Sequence, residues 1–242
     1  MKIGIMQPYF LPYIGYFSLI KHTDRFILFD TVQFIKHGWI ERNRILKQQN
    51  NNKDNGQWQY ISVPLEKYKR ETKIKDIKIK NSNDWRKKIF AQLEHYKKRA
   101  PYYNETVQVL KRALDLETDS IVKLNENVLK EICKYLNIEI KVEIFSEMNL
   151  EIERVNAPDE WALNICKALG DIDEYWNPEG GIEFFDRNKY ENENIKLRFI
   201  KSKIKQYNQN RGVFEGGLSI IDVMMFNSIE DINKMLDEYE IL

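Results

Sequence analysis

The stretch KIGIMQPYFLPYIGYFSLIKHTDRFILFD, residues 2–30, decides the fold. Lys2 to Met6 reads as a short apolar strand, and the loop Gln7-Pro8-Tyr9-Phe10-Leu11-Pro12 follows it. An amphipathic helix is expected from about Pro12 to His22, because proline suits a first helical turn, where its missing N–H costs nothing. A second strand, Arg25 to Phe29, ends on Asp30. Strand, proline-bearing loop, helix and second strand make the opening of an α/β ligand site. In such sheets ligands sit beyond the carboxyl ends of strands, beside helix N-termini whose free N–H groups favour anions. Gln7, Tyr9 and Asp30 are expected to face that crevice, with Tyr13 and Tyr16 around the same turn. Gly15 lowers helix stability by roughly 1 kcal/mol against alanine, so its use implies a close approach to the sheet or to a ligand. The same pattern also fits an apolar strand and helix that bind nothing.

Strands and helices alternate along the rest of the chain. Val32 to Arg44 reads as a functional loop, Asn50 to Gly56 as a polar turn and Gln59 to Pro64 as a strand. Ile74 to Ile79 alternates apolar with charged residues, which suits a half-exposed strand. Helices are expected from about Trp85 to Ala100, from Asn104 to Leu114, and from an Asp119-Ser120 cap to Tyr135. Residues 85–136 are therefore read as a helical insertion or subdomain. A strand from Ile138 to Phe145, a helix from Pro158 to Leu169 and a short strand at Tyr175-Trp176 follow. Asp186 to Tyr190 suits a small helix and Ile195 to Ile200 a strand. A helix from about Ser219 to Asn227, with another turn or two beyond it, completes the chain. This order predicts one α/β domain over residues 1–242, with a mainly parallel sheet.

Lysine and arginine number 38 against 37 aspartates and glutamates, a net charge of +1. That balance excludes a general nucleic-acid binder, which carries a basic face. The short basic runs Lys67 to Arg70 and Lys97 to Arg99 read as solvated surface. Cys133 and Cys166 lie among apolar helical residues and are expected to be buried free thiols of a reducing cytoplasm. Three histidines, with no Cys-x-x-Cys or His-x-x-x-His spacing, argue against a zinc site. Residues 3–20 carry no charge, but Gln7, Pro8 and Pro12 interrupt them, which makes a poor membrane-spanning helix. A cytoplasmic protein without a membrane span is expected.

Four clusters could carry chemistry. Gln7, Tyr9, Tyr13, Gly15 and Tyr16 surround the opening turn. Asp30 with Gln33, Lys36, His37, Trp39, Arg42, Asn43 and Arg44 gathers groups that bind anions or move protons, although each singly fits an exposed loop. Gly180 and Gly181 let backbone amides approach a ligand, or simply make a turn. The fourth cluster is Gln206, Tyr207, Gln209, Phe214, Ser219 and Asp222. Helix capping accounts for Ser219 and Asp222 as well as ligand contact does.

QPYFLPYIGYF at residues 7–17, Asp24 and FILFDTVQFIKHGWIERNRI at residues 26–45 resemble the WbqC-like protein family. The resemblance continues through YISVPL (60–65), APYY (100–103), ICKALG (165–170) and GLSIIDVMMFN (217–227). It implies a place in the synthesis of bacterial surface polysaccharides, especially those with modified amino sugars. From Tyr13 to Phe34 the chain is also similar to the start of pantothenate synthetases, adenylate-forming ligases of the HUP (HIGH-motif) class. Their His-x-Gly-His falls on Tyr13-Ile14-Gly15-Tyr16, and Gln33 and Phe34 match directly. This likeness implies a HUP- or Rossmann-like sheet and the use of ATP with Mg2+. Both phosphate-contacting histidines are tyrosine here, and a neutral tyrosine stabilises developing phosphate charge less well. Together the resemblances imply an enzyme that joins a small acid such as glycine to the amino group of a nucleotide-linked deoxyamino sugar. In that scheme His37 or Asp30 accepts a proton, while Lys36, Arg42 and Arg44 offset negative charge. The alternatives are a nucleotidyl- or glycosyl-transferase in the same crevice and a non-catalytic sugar-nucleotide binding protein.

Overall fold

In the computed structural model, residues 1–48 and 57–242 are described. The turn expected at Asn50 to Gly56 lies outside them. Strand β1 (Lys2–Met6) leads through the opening loop into helix α1 (Ile14–Lys21). Strand β2 (Arg25–Leu28) then returns parallel to β1, with Ile3 opposite Arg25 and Met6 opposite Leu28. An antiparallel hairpin of β3 (Arg42–Leu46) and β4 (Trp58–Ser62) stands apart from the main sheet. Helices α2 (Trp85–Leu93), α3 (Tyr103–Leu114) and α4 (Ile121–Tyr135) come next, then β5 (Lys141–Ile144) and α5 (Glu160–Leu169). The remainder is β6 (Glu174–Pro178), α6 (Arg187–Glu191), β7 (Lys196–Ser202), α7 (Ile220–Phe226), α8 (Ile229–Leu236) and β8 (Tyr239–Ile241).

Among the described residues the main sheet has six strands in the order β5-β2-β1-β6-β7-β8. The first five run parallel and β8 is antiparallel to β7. The chain winds outward from β1 to one edge, then restarts on the other side of β1 with β6. That Rossmann-like order puts the topological switch point between β1 and β6, where a crevice opens beyond their carboxyl ends. Side-chain alternation divides the core between the two faces. Ile3, Ile5, Ile27, Tyr175, Leu197 and Phe199 pack against α5 and α6. Phe26, Leu28, Trp176 and Ile200 join the opposite layer. In that layer Leu93, Leu110 and Leu129 of α2 to α4 share one continuous core with Phe17 of α1 and Met225 of α7. Cys133 and Cys166 are buried free thiols, and burial pushes the Cys133 thiol up to about 12. No helix among the described residues is long and apolar enough to cross a membrane.

The structure departs from the sequence reading at four elements, and the first is the helix expected to reach Ala100, which ends at Leu93 and passes into a 3-10 turn, Glu94–Tyr96. Ile74 to Ile79 is not a strand: a single 3-10 turn, Ile74–Asp76, buries Ile74, Ile77 and Ile79. Its amides bond the loop after β2 instead, Ile74 to the Val32 carbonyl and Lys75 to the Asp30 carbonyl. Arg42, Asn43 and Arg44 belong to β3, not to a loop. The chain ends in an edge strand, β8, after α8.

His95, just past α2, ties the helical layer to the hairpin. Its Nε2–H donates to the Leu46 carbonyl at 2.9 Å, and its Nδ1 accepts from Arg99 at 3.1 Å. Burial, with Arg99 and Arg211 adding positive charge, lowers its pKa from 6.5 to about 4. A base depressed in the folded state contributes stability above its unfolded pKa, and that stability is lost as pH falls toward the folded value. Urea denaturation should therefore show about 1–2 kcal/mol of His95-dependent loss between neutral pH and pH 4, the partial exposure of the ring discounting the full shift. A His95→Gln variant, which keeps both hydrogen bonds without titrating, should lack that component.

Candidate functional site

A cleft of about 700 Å3 opens at the switch point. Gln7, at the end of β1, and Asn177 of β6 stand on its walls, with Tyr9, Gln33, Trp161 and Phe185. Its size lies within the range of small-molecule pockets. Aromatic rings form its apolar surface: Phe29 lies 5.2 Å from Trp161, and Tyr175 lies 5.6 Å from Phe185. Ile35 and Phe184 are 65% and 53% exposed at its lining, which leaves apolar surface free to cover an occupant. No Asp, Glu, Lys, Arg or His lines the cleft among the described residues.

The polar groups of this lining differ in availability. Gln33 donates to the Arg70 carbonyl at 2.8 Å, and Asn177 donates to the Tyr175 hydroxyl at 2.6 Å. The Gln7 amide and the Tyr9 hydroxyl have no hydrogen-bond partner among the described residues. Burial raises the Tyr9 phenol above its ordinary pKa, so it is a neutral donor. These two side chains can hydrogen-bond an uncharged ligand.

What presents them is a clamp on the backbone of the opening loop. Tyr16 donates to the Gln7 carbonyl at 2.9 Å, and Asn125 to the Pro8 carbonyl at 2.7 Å. Asn43 donates to the Phe10 carbonyl at 3.1 Å, and Ser219 Oγ to the Leu11 carbonyl at 2.7 Å. The Ile220 amide closes the series on the Pro12 carbonyl at 2.8 Å. The donors come from α1, α4, β3 and the start of α7, so four elements hold one loop. Leu11 accepts a φ of 46°, strain that such a clamp sustains. A rigid loop loses little entropy when a ligand binds, which is the advantage of a preorganised site.

The clamp assigns several of the expected site residues to positioning. Tyr16 is fully buried and packs 5.3 Å from Phe26. The Tyr13 ring lies where a side chain on Gly15 would be, 2.4 Å from the Cβ position, so Gly15 admits that ring rather than a ligand. Asn43 and Ser219 are buried clamp donors. Asp222 is also fully buried, and it accepts from Tyr96, Tyr207 and Gln209. Asp30 is 1% exposed and does not line the cleft; both of its oxygens accept from Ser146, at 3.1 and 2.6 Å. Burial raises its carboxyl above the usual range and the Ser146 bonds pull it back.

Other expected residues lie outside the cleft lining. Lys36 and His37 are exposed in a turn where His37 takes a φ of 63°. The His37 amide donates to Glu41 and its carbonyl accepts from Arg42. Arg42 covers the Tyr60 ring at 4.0 Å. Arg44 sits between the Trp39 and Trp58 rings, 5.6 and 5.2 Å away, and donates to the Gly217 carbonyl. A Cβ on Gly181 would meet Asn177 Oδ1 at 2.5 Å and displace that side chain, while Gly180 has open space around it. Gln206 is exposed.

The fit to ATP fails at the opening turn. Tyr13 and Tyr16, at the positions of the phosphate-binding histidines, are occupied by packing and by the Gln7 carbonyl, and no cation for a phosphate chain lines the cleft among the described residues. Sequence reasoning missed Trp161, Phe184 and Phe185 in the lining and Asn125 in the clamp. An aromatic in the first turn of a helix that follows a parallel strand was the available signal for Trp161. Asn125, inside an otherwise amphipathic helix, offered none.

The sequence model of the WbqC-like protein family matches residues 7–234. The uncharacterized protein Rv1507c of Mycobacterium tuberculosis (strain ATCC 25618 / H37Rv) is 28% identical over 229 residues, covering 93% of each chain. No solved structure matches.

Proposed function

The chain belongs to the WbqC-like protein family, which is related to polysaccharide biosynthesis, and from that premise we propose that its cleft holds the sugar of a nucleotide-linked deoxyamino sugar. The enzyme forms an amide between the amino group of that sugar and a small acid such as glycine, as a step of bacterial surface-polysaccharide precursor synthesis. One observation carries the reading: an aromatic cleft at the switch point, lined by no charged residue and with the Gln7 amide and Tyr9 hydroxyl unpartnered among the described residues. A deoxysugar has apolar faces suited to aromatic rings and hydroxyls suited to those two groups.

The chemistry follows from the same surroundings. An apolar, uncharged site disfavours an ammonium, so a bound sugar amine sheds its proton more readily and exposes its lone pair. That nitrogen attacks the carbonyl of an acyl group already activated; the C–N bond forms, the leaving group departs, and the amine proton leaves with it. Orientation and exclusion of water are the contributions of the clamped loop. That no Asp, Glu, Lys, Arg or His lines the cleft among the described residues also favours a second reading, a sugar-nucleotide binding protein without catalysis.

Mass spectrometry separates the two. Protein is incubated with a dTDP-linked amino-dideoxyhexose and glycine, in one arm with ATP and Mg2+ and in another with a pre-activated glycyl thioester. A sugar nucleotide heavier by one glycyl unit, formed faster than without protein, is expected. Thermal stabilisation by the sugar nucleotide with no mass change in either arm would establish the binding protein instead.

A further inference from the structure

A second depression, of about 890 Å3, lies between the β3–β4 hairpin and the C-terminal end of α2. Its charge is the opposite of the cleft's neutrality. Lys47, Lys88, Lys97, Lys98 and Arg99 line it, and Glu94 is the carboxylate among its described lining residues. In a chain of net charge +1, this is a local excess of cations. Several lysines elsewhere are paired with carboxylates, as Lys78 is with Asp119, Lys130 with Glu126 and Lys189 with Asp159. Lys88, Lys97 and Lys98 are exposed and make no ion pair among the described residues. Cations at a helix end can complement its dipole. That explains Lys97 to Arg99 in part, but Lys88 lies within α2, and the exposed Lys88, Lys97 and Lys98 together require a different account.

The floor of the depression is built rather than incidental. His95 is fixed by its bond to the Leu46 carbonyl and orients the Arg99 guanidinium through Nδ1, while Gln92 bonds the Tyr60 carbonyl and Gln59. Held neutral in this way, the imidazole accepts from the arginine without adding charge.

We propose that this depression binds the phosphate chain of a soluble polyphosphate compound, such as a nucleoside di- or triphosphate. Its several ammonium groups around a concave floor suit a ligand with charge spread over adjacent phosphates, and its volume accommodates a nucleotide. The run Lys97 to Arg99 is thus part of a site rather than plain solvated surface. The assignment stands independently of the reaction proposed for the cleft.

Isothermal titration of the full chain with inorganic triphosphate tests it. Saturable binding near one equivalent is expected, weakening as sodium chloride is raised. The triple variant Lys88→Gln, Lys97→Gln, Lys98→Gln should bind about tenfold more weakly or worse. A variant altered at Gln7 and Tyr9 should bind triphosphate like the wild type, which separates the two sites. Because the three lysines are exposed, their variant should keep its melting temperature. Equal affinity in the lysine variant, or no saturable binding to the wild type, would overturn the proposal. So would binding to phosphatidylglycerol vesicles without binding to triphosphate, which would point to a membrane headgroup instead.

Discussion

Replacing Gln7 with alanine together with Tyr9 with phenylalanine is expected to weaken binding of a deoxyamino-sugar nucleotide about a hundredfold. Each side chain lines the cleft and lacks a partner among the described residues. Each can therefore give a ligand one hydrogen bond that no protein group competes for. Two neutral hydrogen bonds at about 1–1.5 kcal/mol each correspond to roughly 30- to 150-fold in affinity. Stability should barely change. Tyr9→Phe keeps the ring that packs 5.5 Å from Tyr16, and Gln7 serves the fold through its carbonyl, which alanine retains. The pair of measurements matters: loss of binding with a melting temperature held within about 2 °C identifies ligand contacts, where well under 1 kcal/mol of stability is at stake. A large fall in melting temperature, or unchanged affinity, would assign both residues to packing.

Asp222→Ala should have the opposite signature, a large loss of stability. The carboxylate is fully buried and accepts from the Tyr96 hydroxyl at 2.8 Å, the Tyr207 hydroxyl at 2.6 Å and Gln209 Nε2 at 2.8 Å. Tyr96 in turn accepts from the Leu46 amide. One side chain of α7 thereby ties the hairpin, the end of α2 and the segment after β7. Burial pushes the carboxyl above its ordinary pKa while the three donors pull it back. Alanine leaves those donors without an acceptor, a cost of about 1–3 kcal/mol for each that stays dry, offset by relief of the buried charge. A net loss of about 3 kcal/mol should lower the melting temperature by roughly 6–12 °C in a chain of this size. Sugar binding at the remaining folded fraction should fall less than in the Gln7 and Tyr9 variant, since Asp222 does not line the cleft.

The contrast between these variants explains what was legible in the sequence. The order β1, loop, α1, β2 is readable because Pro12, the charge-free run and the polar end at Asp30 each carry a local signal. Gln7 and Tyr9 follow from that order, since a loop after a first parallel strand faces the switch point. Tyr16, Asn43, Ser219 and Asp222 have the composition of a site but serve as its frame. Polar side chains that bond backbone are the same residue types as those that bond ligands, and only three-dimensional partners distinguish them. Asn125 reaches a carbonyl 117 residues away, a relation no local pattern encodes. Ile74, Ile77 and Ile79 imitate a strand because a turn that buries every second or third residue leaves a similar trace. The three residues of β8 are too few to carry a period.

A crystal structure of the protein with a dTDP-linked amino-dideoxyhexose tests most directly where the sugar sits. The sugar ring should occupy the cleft beyond β1 and β6, against Trp161, with its hydroxyls bonded by Gln7 and Tyr9. A ligand seated elsewhere, with those two side chains still unpartnered at full occupancy, would contradict the account.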